Sequence, residues 1–246
     1  MDSTLMIDPG SKTIKQIAVE CPAAIPVLEK HHFDFCWTGD KTLDVVAAEM
    51  GVPLEIVLSE LRLAVAERET EQPNWNVTGL DALMRHIVVR HHAYLRNELP
   101  LMERLIARLR EARGRTDAAT VAPLEKVFRF FKRELENHLR KEEEVLFPMI
   151  ARLEAASVAG VRLPRYSFGP IANPIGVMEE EHDAERRELD KMLGLTGNYS
   201  GPADACNMYR KFFDRLKTLE ADMRRHVHLE NHILFPRVEV LENASC

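Results

Sequence analysis

The sequence is short of the features that mark several large classes of protein. Its four cysteines (Cys21, Cys36, Cys206 and Cys246) are scattered and form no C-x-x-C pair, which reads as a reducing, cytoplasmic compartment. No apolar run approaches the ~18 residues of a membrane span. The opening MDSTLMIDPGSKTIKQ has neither the basic start nor the apolar stretch of a signal peptide. There is no basic excess: net charge is −6 with both signs interspersed, which argues against nucleic acid as the main partner. No segment alternates apolar and polar residues as a strand does. What remains is an ordinary globular composition, 46% hydrophobic and 29% charged. Its 246 residues allow one large domain, or a small one plus a medium one.

Periodicity predicts helices throughout. Residues 11–70 form the first unit, with three short helices in "CPAAIPVLEKHHFDF", "KTLDVVAAEMGV" (stopping at Gly51) and "PLEIVLSELRLAVAERE". The stretch "ETEQPNWNVTG" breaks the pattern, and 71–79 is the expected linker. Residues 80–240 then carry four long helical segments, near 80–113, 121–155, 174–194 and 203–235, separated by stretches rich in Gly, Pro, Ser or Asn. The expected fold class is all-α: an antiparallel four-helix bundle behind a small helical N-terminal domain.

Within the bundle the chain repeats itself. HLRKEEEVLFPMI (from His138) and HVHLENHILFPRV (from His226) share H-x-x-x-E and then L-F-P in register, 88 positions apart (138 to 226), as a duplicated unit would. Helical spacing places Leu124, Phe128, Phe131, Leu135, His138, Glu142, Val145 and Met149 on one inward stripe. Tyr209, Phe212, Leu216, Leu219, Met223, His226, Glu230 and Ile233 form another. His92 falls on the stripe Met84, Val88, His92, Leu95, Leu99, Met102, Ile106, Leu109; His182 falls with Met178, Leu189 and Leu193. Each half thus supplies one histidine from its first helix and H-x-x-x-E from its second.

A carboxylate in an apolar core without a partner costs several kcal/mol or more. No lysine or arginine lies on these stripes to pair with Glu142 and Glu230. Bound metal removes the difficulty, with Glu142 and Glu230 as anionic ligands and His92, His138, His182 and His226 supplying nitrogen. Six ligands are too many for one tetrahedral zinc and suit two metals sharing carboxylates, with iron favoured and manganese allowed. The order H-x-x-x-E differs from the Glu-x-x-His of ferritin-like sites. His228, His232, His86 and His91 leave the stripes, and His31 and His32 lie in the other domain, so packing or solvent is expected for them. Glu134, one turn before His138, and Glu181, next to His182, are expected around the ligands, orienting imidazoles or carrying protons.

The stretches "HIVVRHHAYLRNELP", "ELENHLRKEEEVLFPMI", "GVMEEEHDAE" and "HLENHILFPR" resemble the repair-of-iron-centres family: iron–sulfur cluster repair proteins with a hemerythrin-like domain and an ScdA-type N-terminal domain. The likeness extends to "CPAAIPVLEKHHFDFCWTGDKTL" and so spans nearly the whole chain. It implies two non-haem iron ions in a bridged di-iron centre, held by His92, His138, Glu142, His182, His226 and Glu230. It also implies a cytoplasmic stress role: binding or reducing nitric oxide, donating iron, and recovering damaged iron–sulfur proteins as clients. Family members commonly carry adjacent cysteines where this chain reads Cys36-Trp37, so Cys36 stands as a lone candidate thiol. A nitric oxide sink without turnover is the alternative reading. An oxygen carrier would want a fifth inward histidine, and a metal-free bundle would need other partners for Glu142 and Glu230. No nucleic acid or membrane partner is expected; the oligomeric state is left open.

Overall fold

The computed structural model describes residues 11–66, 73–113, 118–162, 164, 166–167, 169–200 and 207–244. Among them there are helices and two isolated β-bridges but no strand. The chain divides into two compact units, Met1–Thr78 and Gly79–Cys246.

The first unit holds α1 (Ile14–Glu20), α2 (Ile25–Lys30), α3 (Leu43–Glu49) and α4 (Leu54–Ala66), with a 3₁₀ turn at Pro22–Ala24. Helix α1 was not among the three expected here, although its signal is local. Thr13 and Gln16 form a capping box, each side chain taking the other's backbone N–H. Gly51, at φ +66°, ends α3: its N–H reaches Ala48 and that of Val52 reaches Ala47, the paired bonds of a Schellman ending. His32 (φ +57°) ends α2 in the same way, with Phe33 N–H on Leu28. Ile14, Ile17, Leu28, Phe33, Phe35, Leu43, Val57 and Leu61 are buried as this unit's core. The expected linker falls at 71–79, of which Glu71 and Gln72 lie outside the described residues.

The second unit is the four-helix bundle. Its first helix runs α5 (Leu80–Ile87), a π turn (Val88–His92) and α6 (Ala93–Arg113). The second runs α7 (Ala118–Lys141), a π turn (Glu142–Leu146) and α8 (Phe147–Val158). The third is α9 (Ala172–Leu195), and the fourth runs α10 (Asn207–Leu229), a π turn (Glu230–Leu234) and α11 (Phe235–Asn243). Helix α6 packs on α7 while α5 packs on α8, so the first two helices run antiparallel. Helix α10 packs on α6, and α5 meets the late π turn of the fourth helix, so those two are antiparallel as well. Phe128 meets Phe212 edge-on at 6.1 Å in the shared core, an arrangement worth about 1 kcal/mol beyond its area.

The duplication is visible in the backbone. Glu154 accepts the N–H groups of Leu80 and Asp81 at the start of α5, at 2.6 and 2.8 Å. Glu242, 88 positions later (154 to 242), accepts the N–H of Ile171 at the start of α9, at 3.1 Å. In each π turn an N–H reaches five residues back: Ala93 to Val88, Phe147 to Glu142, and Phe235 to Glu230. Pro148 and Pro236 follow the last two turns in the next helix's first turn, where a missing N–H is tolerated. The extra residue advances the register, and one stripe assignment fails for that reason. Val145 is 53% exposed, and Leu146 and Phe147 are buried instead. Leu193 is only half-buried, and Met192 takes its core place.

Candidate metal centre

All four helices contribute to one buried cluster. His92 comes from the first π turn, His138 from the last turn of α7, Glu142 from the opening of the second π turn. His182 comes from α9, His226 from α10 and Glu230 from the third π turn. Each of the six is at most 1% exposed.

The carboxylates lie between two histidine pairs. Glu142 turns Oε2 to His92 Nε2 and Oε1 to His138 Nε2, both at 3.3 Å. Glu230 turns Oε1 to His226 Nε2 at 2.9 Å and Oε2 to His182 Nε2 at 3.2 Å. Within the pairs, His92 Nε2 stands 3.1 Å from His226 Nε2, and His138 Nε2 stands 3.0 Å from His182 Nε2. Two four-residue groups result, His92–Glu142–His226–Glu230 and His138–Glu142–His182–Glu230, each with its ligand atoms within 4.8 Å of one another. Both carboxylates belong to both groups.

The donor set fits metal. Both oxygens of Glu142 and Oε2 of Glu230 are buried without a hydrogen-bond partner, a state that ordinarily costs free energy. Ring nitrogens converge on the same two points. Without metal, protons can stand in for cations. Burial pushes Glu142 up, but the facing His138, His92 and His226 imidazoles outweigh it and hold the carboxyl well below the ordinary range. Burial and Glu142 both push Glu230 up, and His226 and His182 bring it below its usual value. Burial depresses the imidazoles, yet the carboxylates raise His92, His138 and His182. His226 stays lowered, burial being the largest cause.

With Nε2 facing the centre, Nδ1 of each ring is free to donate outward. His92 donates to Glu143 at 2.7 Å, His138 to Glu181 at 3.0 Å and His182 to Asn231 at 2.8 Å. Such contacts fix the ring and raise its basicity. Glu181, expected near the ligands, is therefore placed against His138, and it also pairs with Lys141. Glu134 is exposed, bound to Arg133, and only edges a cavity beside the centre. Cys36 belongs to the first unit, buried, with its N–H on Asp34. Phe147 stacks on His92 at 5.9 Å and Phe235 on His182 at 6.2 Å.

One residue was missed. Glu185 is buried, its oxygens have no hydrogen-bond partner, and Oε1 lies 3.9 Å from His138 Nδ1. Its carboxyl is raised, burial being the main cause. With Glu134, Lys141, Glu181 and Glu188 it lines a cavity of about 120 Å³ against Phe130 and Phe131. Three residues after His182, it shares that histidine's face, and this was the available signal. His91, for which packing or solvent was expected, is packed: it is buried, bonds Asp222 at 3.0 Å and stacks on His226 at 5.6 Å.

A bundle whose helices gather two histidine pairs around two shared carboxylates is a metal-binding four-helix bundle. Residues 83–238 match the hemerythrin HHE cation binding domain, and residues 10–65 match ScdA_N, a domain of unknown function. The chain belongs to the hemerythrin HHE family, and its relatives are named as iron–sulfur cluster repair proteins. It is 31% identical to the "Probable iron-sulfur cluster repair protein" of Haemophilus influenzae, over 93% of this chain and 97% of that one. It is 32% identical to the "Iron-sulfur cluster repair protein YtfE" of Musicola paradisiaca (92% and 95% covered). With the protein of that name from Cronobacter sakazakii it shares 33% (90% and 93% covered). No helix among the described residues is long and apolar enough to cross a membrane.

Proposed function

We propose that this chain is a cytoplasmic non-haem di-iron protein of nitrosative and oxidative stress, which binds or reduces nitric oxide and supports repair of damaged iron–sulfur proteins. The observation that carries the di-iron reading is the division of each carboxylate: one oxygen of Glu142 and one of Glu230 face each histidine pair. Two ions so held would each have two nitrogens and two oxygens, below the coordination number ferrous iron accepts, leaving room for a small ligand. Iron supplies redox capacity and an affinity for diatomic ligands. The repair role rests on the names of the relatives, matched over nearly their full length.

The protein's own contribution is positioning, exclusion and proton supply. Glu143, Glu181 and Asn231 hold three imidazoles in place through Nδ1. Phe147 and Phe235 wall off two of them from water. Glu185, its carboxyl raised by burial, stands at the cavity wall beside His138, where reduction of nitric oxide to nitrous oxide and water would consume protons.

Nitric oxide added without oxygen to the ferrous-loaded chain should produce new visible absorption bands; an unchanged spectrum removes the nitric oxide reading. Gas analysis then separates the alternatives. With a chemical reductant in excess, nitrous oxide in more than stoichiometric yield supports turnover. A stable stoichiometric complex with no nitrous oxide supports a sink, the reading that Cys36-Trp37, in place of adjacent cysteines, favours.

A further inference from the structure

We propose that the two cation positions are unequal: the His138/His182 position fills first and empties last, while the His92/His226 position holds the exchangeable ion. This rests on the two-ion reading above and deepens it.

The argument comes from comparing the two halves of the duplicated bundle. The residue after each bridging carboxylate braces the histidine of the preceding helix. Glu143, after Glu142, takes His92 Nδ1, and Asn231, after Glu230, takes His182 Nδ1. By the same relation, the residue before each single histidine should brace the histidine of the H-x-x-x-E stretch it faces. Glu181, before His182, takes His138 Nδ1. Its counterpart, before His92, is His91, and there the pattern breaks. His91 stacks on His226 with planes 5° apart, offering a ring face rather than an acceptor. Its Nδ1 engages Asp222 Oδ1. His226 Nδ1 is left buried with no hydrogen-bond partner, alone among the four ligand histidines.

The His138/His182 position therefore has both rings braced, and Glu185 adds a further buried carboxylate 3.9 Å from His138. The His92/His226 position has one ring braced, and the carboxylate on its side, Asp222, engages His91 rather than a ligand ring. Removing an outer partner of a metal-bound histidine typically weakens binding about 10- to 100-fold, and that is the separation expected between the two positions.

The direct test is occupancy. Crystals of the metal-free full chain are given one molar equivalent of Co²⁺, and anomalous scattering locates the ion. Density at His138/His182 is the expected result; density at His92/His226, or equal density at both, overturns the proposal. Crystals given excess Co²⁺ report separately on the underlying reading: a single ion there sinks the two-ion centre itself. A second variant keeps the matter independent of crystals. His91→Glu, combined with Asp222→Asn to remove the carboxylate it would face, gives His226 the acceptor that His138 already has. Anaerobic Co²⁺ calorimetry should then show the weaker dissociation constant tightening about 10- to 100-fold while the tighter one holds. With the helical circular dichroism unchanged, equal constants in the parent chain, or a variant that alters only the tighter step, refute the inequality.

Discussion

On the proposed two-ion reading, stripping the metal should loosen the whole bundle, because the six ligands would tie all four helices to two points. The size of the effect follows from linkage. An ion bound only by the folded state, present at 100 times its dissociation constant, stabilises by about 2.7 kcal/mol, so two such ions contribute about 5 kcal/mol. For a domain of the size of Gly79–Cys246, 1 kcal/mol moves Tm by about 2–4 °C, which gives a difference of about 10–20 °C between loaded and chelated protein. The perturbation is an anaerobic chelator followed by ferrous add-back, and the assay is the bundle's thermal transition by circular dichroism. His182→Ala supplies the internal control. It removes one of two ring nitrogens at one position and leaves Asn231 facing empty space, while His92 and His226 keep theirs. The loaded-minus-chelated difference, taken within each protein so that the variant's own instability cancels, should fall by half or more, to the gain of the looser ion alone. A parent chain whose Tm is indifferent to chelation, or a His182→Ala chain that keeps the full difference, would refute the reasoning.

The π-turn register makes a sharp pair: Val145→Lys should change stability by no more than about 0.5 kcal/mol, while Leu146→Ala should cost about 2–5 kcal/mol by chemical denaturation. Metal affinity should fall with falling pH. His92, His138 and His182 are raised above the ordinary imidazole value of about 6.5, so near neutrality the metal-free site holds protons that a cation must displace. Competitive chelator titrations from pH 8 to 6 should show the loss, and a flat profile would contradict it. The stability of the chelated protein has the opposite sign. Raised imidazoles contribute fully below their unfolded pKa, and that contribution is lost as pH rises through the folded value. In the first unit, the Asp34 carboxylate accepts the N–H groups of Cys36, Trp37 and Thr38 and the Thr38 hydroxyl. Asp34→Ala should cost about 1–2 kcal/mol, as loss of a multiple backbone cap does, and should speed amide exchange at those three residues.

The ligands were legible because they break a rule. A histidine and a glutamate one turn apart inside an apolar stripe ask for a partner, and the duplicate stretch asks again at His226 and Glu230. What supports those ligands was less legible, since it comes from across helix interfaces. Glu143 and Asn231 read as residues just off the stripe, yet each reaches a histidine on another helix. Glu185 sits in the charged run EHDAERRE, where only its three-residue spacing from His182 separates it from its neighbours. Val145 was misplaced because a straight 3.6-residue period cannot register an inserted residue. The L-F-P triplets mark two of the three insertions. No such triplet follows Val88–His92, so that turn left no comparable mark in the sequence.

The π turns also explain how so few residues build and brace the centre. In an unbroken α-helix, adjacent residues point about 100° apart, so a buried ligand's neighbour usually faces away from the site. At Glu142-Glu143 and Glu230-Asn231 the first residue points into the centre and the second still reaches a ring on another helix. Opening the π turn at that dipeptide widens the helix where both must engage, and the proline beyond it has no N–H to lose. The backbone devices recur in both halves: H-x-x-x-E, L-F-P, and the Glu154 and Glu242 caps. The bracing residues do not recur: Glu143 answers to Asn231, and Glu181 to His91. Where a duplicated unit keeps its geometry and varies only the acceptors behind its histidines, the variation would act on how tightly each proposed position holds its ion and would leave the ions' placement alone.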